Sequence, residues 1–337
     1  MTAVQPLPSR PALPDALRAL RPLLAGRAPA LDGPSLERLS LSGGTPPVLA
    51  ACTPLEAPGA RAIESASVPL VEAFLDGVQR SRLLGHVAHA PVIFASVAAA
   101  IRMRVDRQLR TWHAPRVEHR LLVARERIGE AAFGQLAASG MDVIDTSDVR
   151  GGGPLTVHPY ALRARALELV ALERERLERQ LAAAWVAADT PGDGWLWIDG
   201  GIAGNLAVDH AARAFGVVKS HTTLYGDDTA VDTVLSLREG ERSPAFLVGH
   251  AVRRAVASWY LRLRDGAAAD PLFGLVRVEI APPPSDGDRH AFTALCDRLS
   301  ASILLERAPL SMPDARWDTL SYGVHAVESY LQAVLGA

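Results

Sequence analysis

Short apolar runs separated by turn-forming residues mark the segment between positions 71 and 98. The runs at 71–78, 81–88 and 91–98 consist largely of Val, Leu, Ile, Phe and Ala, and the residues between them include Gly, His and Pro. Runs of this length, bounded by such residues, are typical of β-strands joined by tight turns. The pattern therefore predicts a three-stranded antiparallel meander in this part of the chain.

Helical patterns alternate with short apolar runs over the second half of the chain. The longest helix is expected from Pro159 to Ala188, which has no internal Gly or Pro and is dense in Leu, Ala, Glu and Arg. Further helices are expected at 127–139, 205–215, 289–306 and 319–335, and strands at 195–198, 216–218, 255–263 and 272–281. A meander followed by alternating helices and strands predicts an α/β fold with a mixed sheet flanked by helices.

The N-terminal residues 1–65 differ from the rest because they are rich in Pro, Leu and Arg. A short helical pattern at 14–24 is followed by several prolines and a Gly-Gly-Thr-Pro-Pro cluster, which interrupt regular structure. We predict an extended arm that contacts a second subunit or another protein. Residues 66–337 are then expected to form one domain, with a helical insertion at about 105–155.

Composition limits the classes of function. The 337 residues are 49% hydrophobic and 21% charged, and their formal net charge is −2, so a core is expected but no overall basic surface. Only Cys52 and Cys296 are cysteines, too few for a disulfide framework or a cysteine-ligated zinc site. No apolar run approaches the roughly 20 residues that cross a bilayer. We expect a cytoplasmic protein without a membrane span.

Acidic residues follow two of the predicted strands and lie on the long helix. Asp76 and Asp199 each end an apolar run and precede a glycine, which leaves room for a ligand near the backbone. Glu178 lies on a helix face suited to meeting the sheet, and Glu173 is the alternative, because helical spacing does not choose between them. Carboxylates gathered without cysteine suit Mg²⁺ or Mn²⁺, which activate water and neutralise charge on a phosphodiester.

Two basic residues extend this set. Lys219 is the single lysine among 35 basic residues and follows the predicted strand at 216–218. Its ammonium can hold a scissile phosphate or stabilise a leaving oxygen, although a surface lysine at a strand end is the alternative. His325 lies in the last predicted helix, where it is either a metal ligand or proton carrier, or a structural histidine.

In their order along the chain, these segments resemble the NurA family of prokaryotic DNA-end-processing nucleases over about residues 70–330. The matching segments are Leu75-Asp76-Gly77, Leu177 to Ala182, Trp197 to Gly200, Gly216 to Ser220, Trp259 to Leu263, Val276 to Glu279 and Leu320 to Ala326. The resemblance implies a ribonuclease H-like core, Mn²⁺ or Mg²⁺ as cofactor, and cleavage of single- and double-stranded DNA. It also implies a homodimer that works with a HerA-type hexameric ATPase in end resection and double-strand break repair.

The resemblance also implies roles for individual residues. Asp76, Glu178 and Asp199 correspond to the metal-binding acids, Lys219 to the lysine on the phosphate side, and His325 to the late histidine near the metal. The chain departs from the family in three places. The first motif continues with Val and Gln where the family often has Ser, and the proline-containing segment at 312–313 lies well before the late histidine. A longer segment before Asp199 leaves Glu173 and Glu175 as alternative helix ligands.

Two other classes of function remain open. A catalytically inactive adaptor of the same fold would bind DNA through arginines that recur within one short segment. These are Arg102, Arg104, Arg107 and Arg110. Alternatively, a related sheet could bind ATP for phosphoryl transfer. The chain has no recognisable phosphate-binding loop, which argues against this hypothesis.

Overall fold

The computed structural model of the chain describes residues 13–20, 22, 48–64, 70–106, 108–147, 157–188, 194–203, 213–249, 254–264, 271–284, 287–307 and 322–336. The helices in these ranges are α1 (Leu13–Leu20), α2 (Arg125–Ile128), α3 (Glu130–Ala137), α4 (Pro159–Ala187), α5 (Asp228–Leu235), α6 (Arg289–Leu305) and α7 (Tyr322–Val334). The first seven strands are β1 (Val48–Ala50), β2 (Thr53–Pro54), β3 (Arg61–Ala62), β4 (Val71–Val87), β5 (Ala90–Val105), β6 (Gln108–Val123) and β7 (Val143–Asp145). The others are β8 (Trp195–Asp199), β9 (Ala214–Val218), β10 (Thr223–Tyr225), β11 (Glu241–Arg242), β12 (Phe246–Val248), β13 (Val256–Arg262) and β14 (Leu275–Ile280).

Most of these strands belong to one mixed sheet. Its order is β2-β12-β13-β14-β9-β8-β4-β5-β6-β7, and β11 pairs with both β13 and β3. Strands β4, β5 and β6 form an antiparallel meander, whereas β8 runs parallel to β4 and β9 runs parallel to β8. A separate two-stranded parallel sheet joins β1 to β10. The predicted α/β class with a mixed sheet is confirmed.

Helices cover both faces of the sheet. Side chains alternate between the two faces along a strand, so Phe74 and Leu75 of β4 enter different cores. Leu75 packs with the apolar side of α4, including Leu177 and Leu181. Phe74 packs instead with α6 and α7, which contribute residues such as Val327. The centre of β4 is consequently shielded from solvent on both sides.

The meander is present, but its predicted strand limits are wrong. Residues 71–87 form the single strand β4, because its backbone pairs continuously with β5 through the polar residues Gln79 and Arg80. The third strand is β6, within the segment expected to be a helical insertion. Many β6 side chains remain partly or fully exposed, so the strand lacks the apolar run that would reveal it. Among the described residues of that segment, only those of α2 and α3 are helical.

Two other predictions need correction. Ala214 and Phe215 belong to β9, where they pair with Leu196 and Trp197, and not to a helix. The preceding residues 204–212 of that predicted helix lie outside the described residues. Within the predicted N-terminal arm, α1 is confirmed, and most of residues 1–47 lie outside the described residues. The arm does not extend to residue 65, because β2 and β3 join the main sheet.

The helices expected at 159–188, 289–306 and 319–335 correspond to α4, α6 and α7, and the strands expected at 255–263 and 272–281 correspond to β13 and β14. None of the helices in the described ranges combines the length and the apolar character needed to cross a bilayer.

Candidate metal centre and adjoining cavity

Asp76 and Asp199 lie side by side on neighbouring parallel strands. The register of β4 and β8 pairs Leu75 with Ile198, so the next residues on each strand are the two aspartates. Neighbouring strands are about 4.8 Å apart. The two Asp-Gly sequences, far apart in the chain, therefore meet at the point where β8 ends.

The electrostatics of Asp76 reflect this proximity. The side chain is buried, with 6% of the residue exposed. Burial raises the pKa of Asp76 well above its usual value, and the charges of Asp199 and Glu178 raise it further, while Lys219 acts in the opposite direction. The backbone N–H of Gly77 donates to Asp76 Oδ1 at 2.7 Å. The site thus concentrates negative charge in a place with little water.

Glu178 of α4 supplies the third carboxylate. It lies directly over Gly77, where a Cβ atom would overlap Glu178 Oε1. Arg174, one turn earlier, forms an ion pair with the same oxygen, and its Nε donates to Gln79 Oε1 at 3.3 Å. Burial raises the pKa of Glu178 to about 7 in spite of Arg174. Gly77 is therefore required for the close approach of Glu178 to β4.

The two alternative helix acids are engaged elsewhere. Glu173 Oε2 lies 3.2 Å from Arg120 Nε and 3.1 Å from Arg176 Nη2, in a network of ion pairs that joins α4 to β6. Glu175 is half-exposed and lies 3.7 Å from Arg179. Of the three glutamates left open by the sequence, Glu178 is the buried one and the one whose charge acts on Asp76.

Lys219 follows β9 and is tied to Asp199. Its Nζ atom lies 2.8 Å from Asp199 Oδ1. This contact follows from the parallel pairing of β8 with β9, which places Val217 opposite Asp199. The predicted lysine and the predicted acid therefore belong to the same site.

His325 lies on α7, which covers the same face of β4 as Asp76. Gly323 of this helix packs against the ring of Phe74, two residues before Asp76 on the strand. The Nδ1 atom of His325 is 3.9 Å from Glu328 Oε2. Within the described ranges, His325 forms no hydrogen bond or ion pair with the three acids, so the structure does not bring it into direct contact with them.

In the described part of the chain, no three His, Cys, Asp or Glu side chains are arranged so that they could hold a metal ion between them. Two of the acids are instead held by basic side chains, Asp199 by Lys219 and Glu178 by Arg174. The donor chemistry nevertheless fits a hard divalent cation, because three crowded carboxyl groups offer only oxygen ligands. The raised pKa values of Asp76 and Glu178 show that their basic neighbours do not offset the cost of ionising them.

A cavity of about 290 Å³ adjoins Glu178 and Asp199. Its lining includes Glu178 and Asp199 together with Tyr225, Arg277 and Glu279, to which the sequence analysis gave no role. The signal that could have found the last two is the pattern of β14, where charged residues occupy alternate positions of an otherwise apolar, buried strand.

Two of the four arginines proposed to bind DNA in the adaptor alternative contact other residues of the protein. Arg102 donates to the carbonyl oxygen of Leu109, and its guanidinium lies 4.8 Å from the centre of the Tyr330 ring. The Nη2 atom of Arg104 donates to both carboxylate oxygens of Glu306, at 2.9 and 2.8 Å. Arg110 is exposed, and Arg107 lies outside the described residues. Arg102 and Arg104 are thus held by contacts within the protein.

Neither a comparison with protein-family models nor one with curated protein sequences finds a match to this chain. The chemistry assigned to the site therefore rests on the residues and their arrangement.

Proposed function

We propose that this protein is a divalent-metal-dependent deoxyribonuclease with exonuclease and endonuclease activity on single- and double-stranded DNA. The observation that carries this proposal is the adjacency of Asp76 and Asp199 on β4 and β8, with Glu178 packed against Gly77 and Lys219 bound to Asp199. Carboxylates carried close together on rigid elements beside a lysine suit hydrolysis of a phosphodiester.

The strand order supports the finer interpretation of the core as ribonuclease H-like. Such a core is expected to combine an antiparallel meander with a helix and two further parallel strands. The order β6-β5-β4-β8-β9 has this arrangement, and α4 precedes β8 in the chain. The three acids then come from the first strand of the meander, the helix, and the end of the strand that follows the helix.

In the proposed reaction, Asp76, Glu178 and Asp199 would hold Mn²⁺ or Mg²⁺. A cation bound by these residues would supply activation of water and neutralisation of the charge that develops on the phosphate. His325 remains the proposed fourth ligand, because α7 covers the face of β4 that carries Asp76.

Lys219 has two functions in this proposal. Its ammonium holds the Asp199 carboxylate at 2.8 Å and so orients it at the end of β8. An ammonium group has three N–H donors, so others remain for a phosphate oxygen of the substrate. Lys219 would thus orient the scissile phosphate relative to Asp199.

The test is cleavage of end-labelled single- and double-stranded DNA in the presence of Mn²⁺, Mg²⁺ or EDTA. We expect cleavage with Mn²⁺ or Mg²⁺ and none with EDTA. Protein that binds DNA but hydrolyses it with neither cation would contradict the proposal and favour the adaptor alternative.

We further propose that the protein acts in the cytoplasm as a homodimer, together with a HerA-type hexameric ATPase, in DNA end resection and double-strand break repair. This part of the proposal is supported by the family resemblance alone. Light scattering of the purified protein, alone and mixed with such an ATPase, tests both assemblies, and a monomeric mass that the ATPase leaves unchanged would contradict them.

Gly77→Ala is expected to lower Mn²⁺-dependent cleavage by about a hundredfold, the effect of displacing a catalytic group by about 1 Å. The added methyl group would occupy the position of Glu178 Oε1. Because the atoms that must move lie on the side chains of Glu178 and Arg174, we expect little change in the thermal midpoint. The matched control is Gly134→Ala, where a Cβ meets nothing within 4 Å, and cleavage should be unchanged there. Wild-type activity in Gly77→Ala would mean that the position of Glu178 is unimportant.

A further inference from the structure

A second polar cluster lines the cavity on β14. Arg277 and Glu279 occupy alternate positions of this strand, so their side chains leave the same face of the sheet. Only 9% of Arg277 and 2% of Glu279 is exposed. Charged side chains are rarely buried to this extent unless their polar atoms are paired, so the partners of each atom are informative.

The guanidinium of Arg277 is held from two sides. Its Nη1 atom donates to Glu279 Oε1 at 2.5 Å and to Ser258 Oγ at 3.2 Å. Its central carbon lies 4.9 Å from the centre of the Tyr225 ring, which is itself stacked on Phe246. An ion pair and an aromatic contact together fix the plane of the guanidinium before any ligand arrives.

The opposite edge of the same guanidinium is formed by Nε and Nη2. Among the residues that the structure describes, none accepts a hydrogen bond from Nε or Nη2 of Arg277. These two atoms present parallel N–H donors, the geometry that matches two oxygens of a phosphate or carboxylate. Because Arg277 lines the cavity beside Asp199, a ligand bound there would meet this residue.

Glu279 connects this arginine to the segment that follows Asp199. Its Oε2 atom accepts a hydrogen bond from the backbone N–H of Ile202 at 2.7 Å. The same oxygen packs against Gly201, where a Cβ atom would lie 3.0 Å away. One buried carboxylate thus sets the position of the Arg277 guanidinium relative to the backbone just beyond the proposed metal-binding Asp199.

The charges around the cavity favour Arg277 as its anion-binding group. The other two arginines in the lining, Arg174 and Arg179, are paired with Glu178 and Glu175. Among the described residues, Arg277 is paired only through Nη1, with Glu279 and Ser258. A volume of about 290 Å³ is at the small end of ligand pockets, which suits one nucleotide unit of a strand.

We propose that Arg277 binds a phosphate of the DNA strand next to the phosphate that is cleaved, and that Glu279 is the residue that positions it. The proposal rests on the nuclease function proposed above and names a second contact of the substrate backbone. Arg277 binds this phosphate through Nε and Nη2 while Nη1 stays on Glu279.

The test is the affinity of the full-length protein for a labelled single-stranded oligonucleotide, measured by fluorescence anisotropy in EDTA over a range of salt concentrations. For Arg277→Met we expect about a ten- to hundredfold loss of affinity, the effect of losing hydrogen bonds to a charged group. The slope of log affinity against log salt should fall by about 0.7, the value for one phosphate contact of a single strand. Arg277→Lys keeps the charge but not the two-point geometry, so affinity should fall while the slope stays near wild type.

Two controls separate this role from a structural one. Arg277→Met leaves Glu279 buried without its cation, so the double variant Arg277→Met/Glu279→Gln restores the charge balance and should show the same loss of DNA affinity with a thermal midpoint near wild type. Arg125→Met removes an arginine that also holds a glutamate but lies half-exposed on α2. It should change neither affinity nor slope.

The outcomes distinguish this inference from the nuclease proposal. Wild-type affinity and slope in Arg277→Met, or wild-type protein that binds no strand in EDTA, would overturn the phosphate contact whether or not the protein cleaves DNA. An Arg277-dependent slope in a protein that cleaves DNA with neither Mn²⁺ nor Mg²⁺ would support the contact and overturn the nuclease function.

Discussion

Asp199→Asn is expected to reduce Mn²⁺-dependent DNA cleavage about a thousandfold, which corresponds to about 4 kcal/mol of lost transition-state stabilisation. The substitution removes the negative charge that is shared by the proposed metal site and Lys219. The fold should persist, because the ion pair to Lys219 is partly exposed and pairs of this kind contribute about 0–1 kcal/mol. Cleavage rate and thermal midpoint are measured on the same preparation.

Asp232→Asn is the matched control for this substitution, since Asp232 is exposed on α5, and it should cleave DNA like the wild type. Asp199→Asn protein that retains full activity would contradict the proposed site.

A second variant, Asp76→Asn, should also lose cleavage but gain stability. The pKa of Asp76 is raised by burial and by the neighbouring acids, so ionising it costs free energy that asparagine avoids.

The gain in stability expected for Asp76→Asn should increase as the pH rises. A carboxyl group whose pKa is higher in the folded than in the unfolded protein favours folding most strongly below its unfolded pKa, which is about 3.9 for Asp. This contribution to the stability of the fold is lost as the pH rises towards the pKa of the group in the folded protein. The advantage of Asp76→Asn over the metal-free wild type should therefore grow with pH, and thermal melts in EDTA across pH 5–8 measure it. A constant difference between the two proteins would contradict the raised pKa of Asp76.

Arg242→Met is expected to lower the free energy of unfolding by about 3–5 kcal/mol, the usual cost of breaking a buried ion pair by removing one partner. The Arg242 side chain is 0% exposed and lies between two acids. Its Nη1 and Nη2 atoms donate to Glu56 at 2.6 and 2.9 Å, and its Nε donates to Asp297 at 2.6 Å. Met fills a similar volume but leaves Glu56 buried without its cation. Chemical denaturation measures the loss.

Arg61→Met is the matched control, because Arg61 also binds Asp297, with Nη2 at 2.9 Å from Oδ2, but is 47% exposed. We expect a cost of about 0–1 kcal/mol there. Equal effects of the two substitutions would show that burial does not determine the strength of this network.

The Arg242 network should also make stability depend on pH. Burial raises the pKa of Glu56, but hydrogen bonds from Arg242 and the backbone N–H of Ala245 outweigh it and lower the pKa to about 2. The unfolded value is about 4.3, so ionised Glu56 stabilises the fold by about 3 kcal/mol at neutral pH. This contribution is present above pH 4.3 and is lost as the pH falls towards 2. The wild type should therefore lose more stability than Arg242→Met over that interval, and parallel pH profiles would contradict the role of Glu56.

Local sequence patterns were sufficient to predict much of the fold and to identify Asp76 and Asp199 as candidate site residues. Helix α4 was predictable because nearly thirty residues without internal Gly or Pro favour a helix strongly. Asp76 and Asp199 stood out because each follows an apolar run and precedes a glycine. Strand β6 was not predictable, since its partly exposed side chains leave no apolar periodicity.

Helical spacing could not choose among Glu173, Glu175 and Glu178. Which of them approaches the sheet depends on how α4 is rotated about its axis, and packing of Leu177 and Leu181 against β4 and β5 determines that rotation. The same packing turns Glu173 towards Arg120 of β6. Arg277 was missed for a related reason, because the cavity that gives it a role is formed by strands and loops distant in sequence.

The sequence by itself determined which segments are strands and helices where their apolar periodicity is strong, and that Asp199 ends a buried strand, because both depend on neighbouring residues alone. The expectation that Asp76 also ends a strand was wrong, because β4 continues past it to Val87. Only the tertiary structure decided that Asp76 and Asp199 lie beside each other with Glu178 and Lys219 nearby, that His325 does not touch the acids, and that no described residue accepts a hydrogen bond from Nε or Nη2 of Arg277. These features depend on strand register and helix rotation, which long-range packing determines.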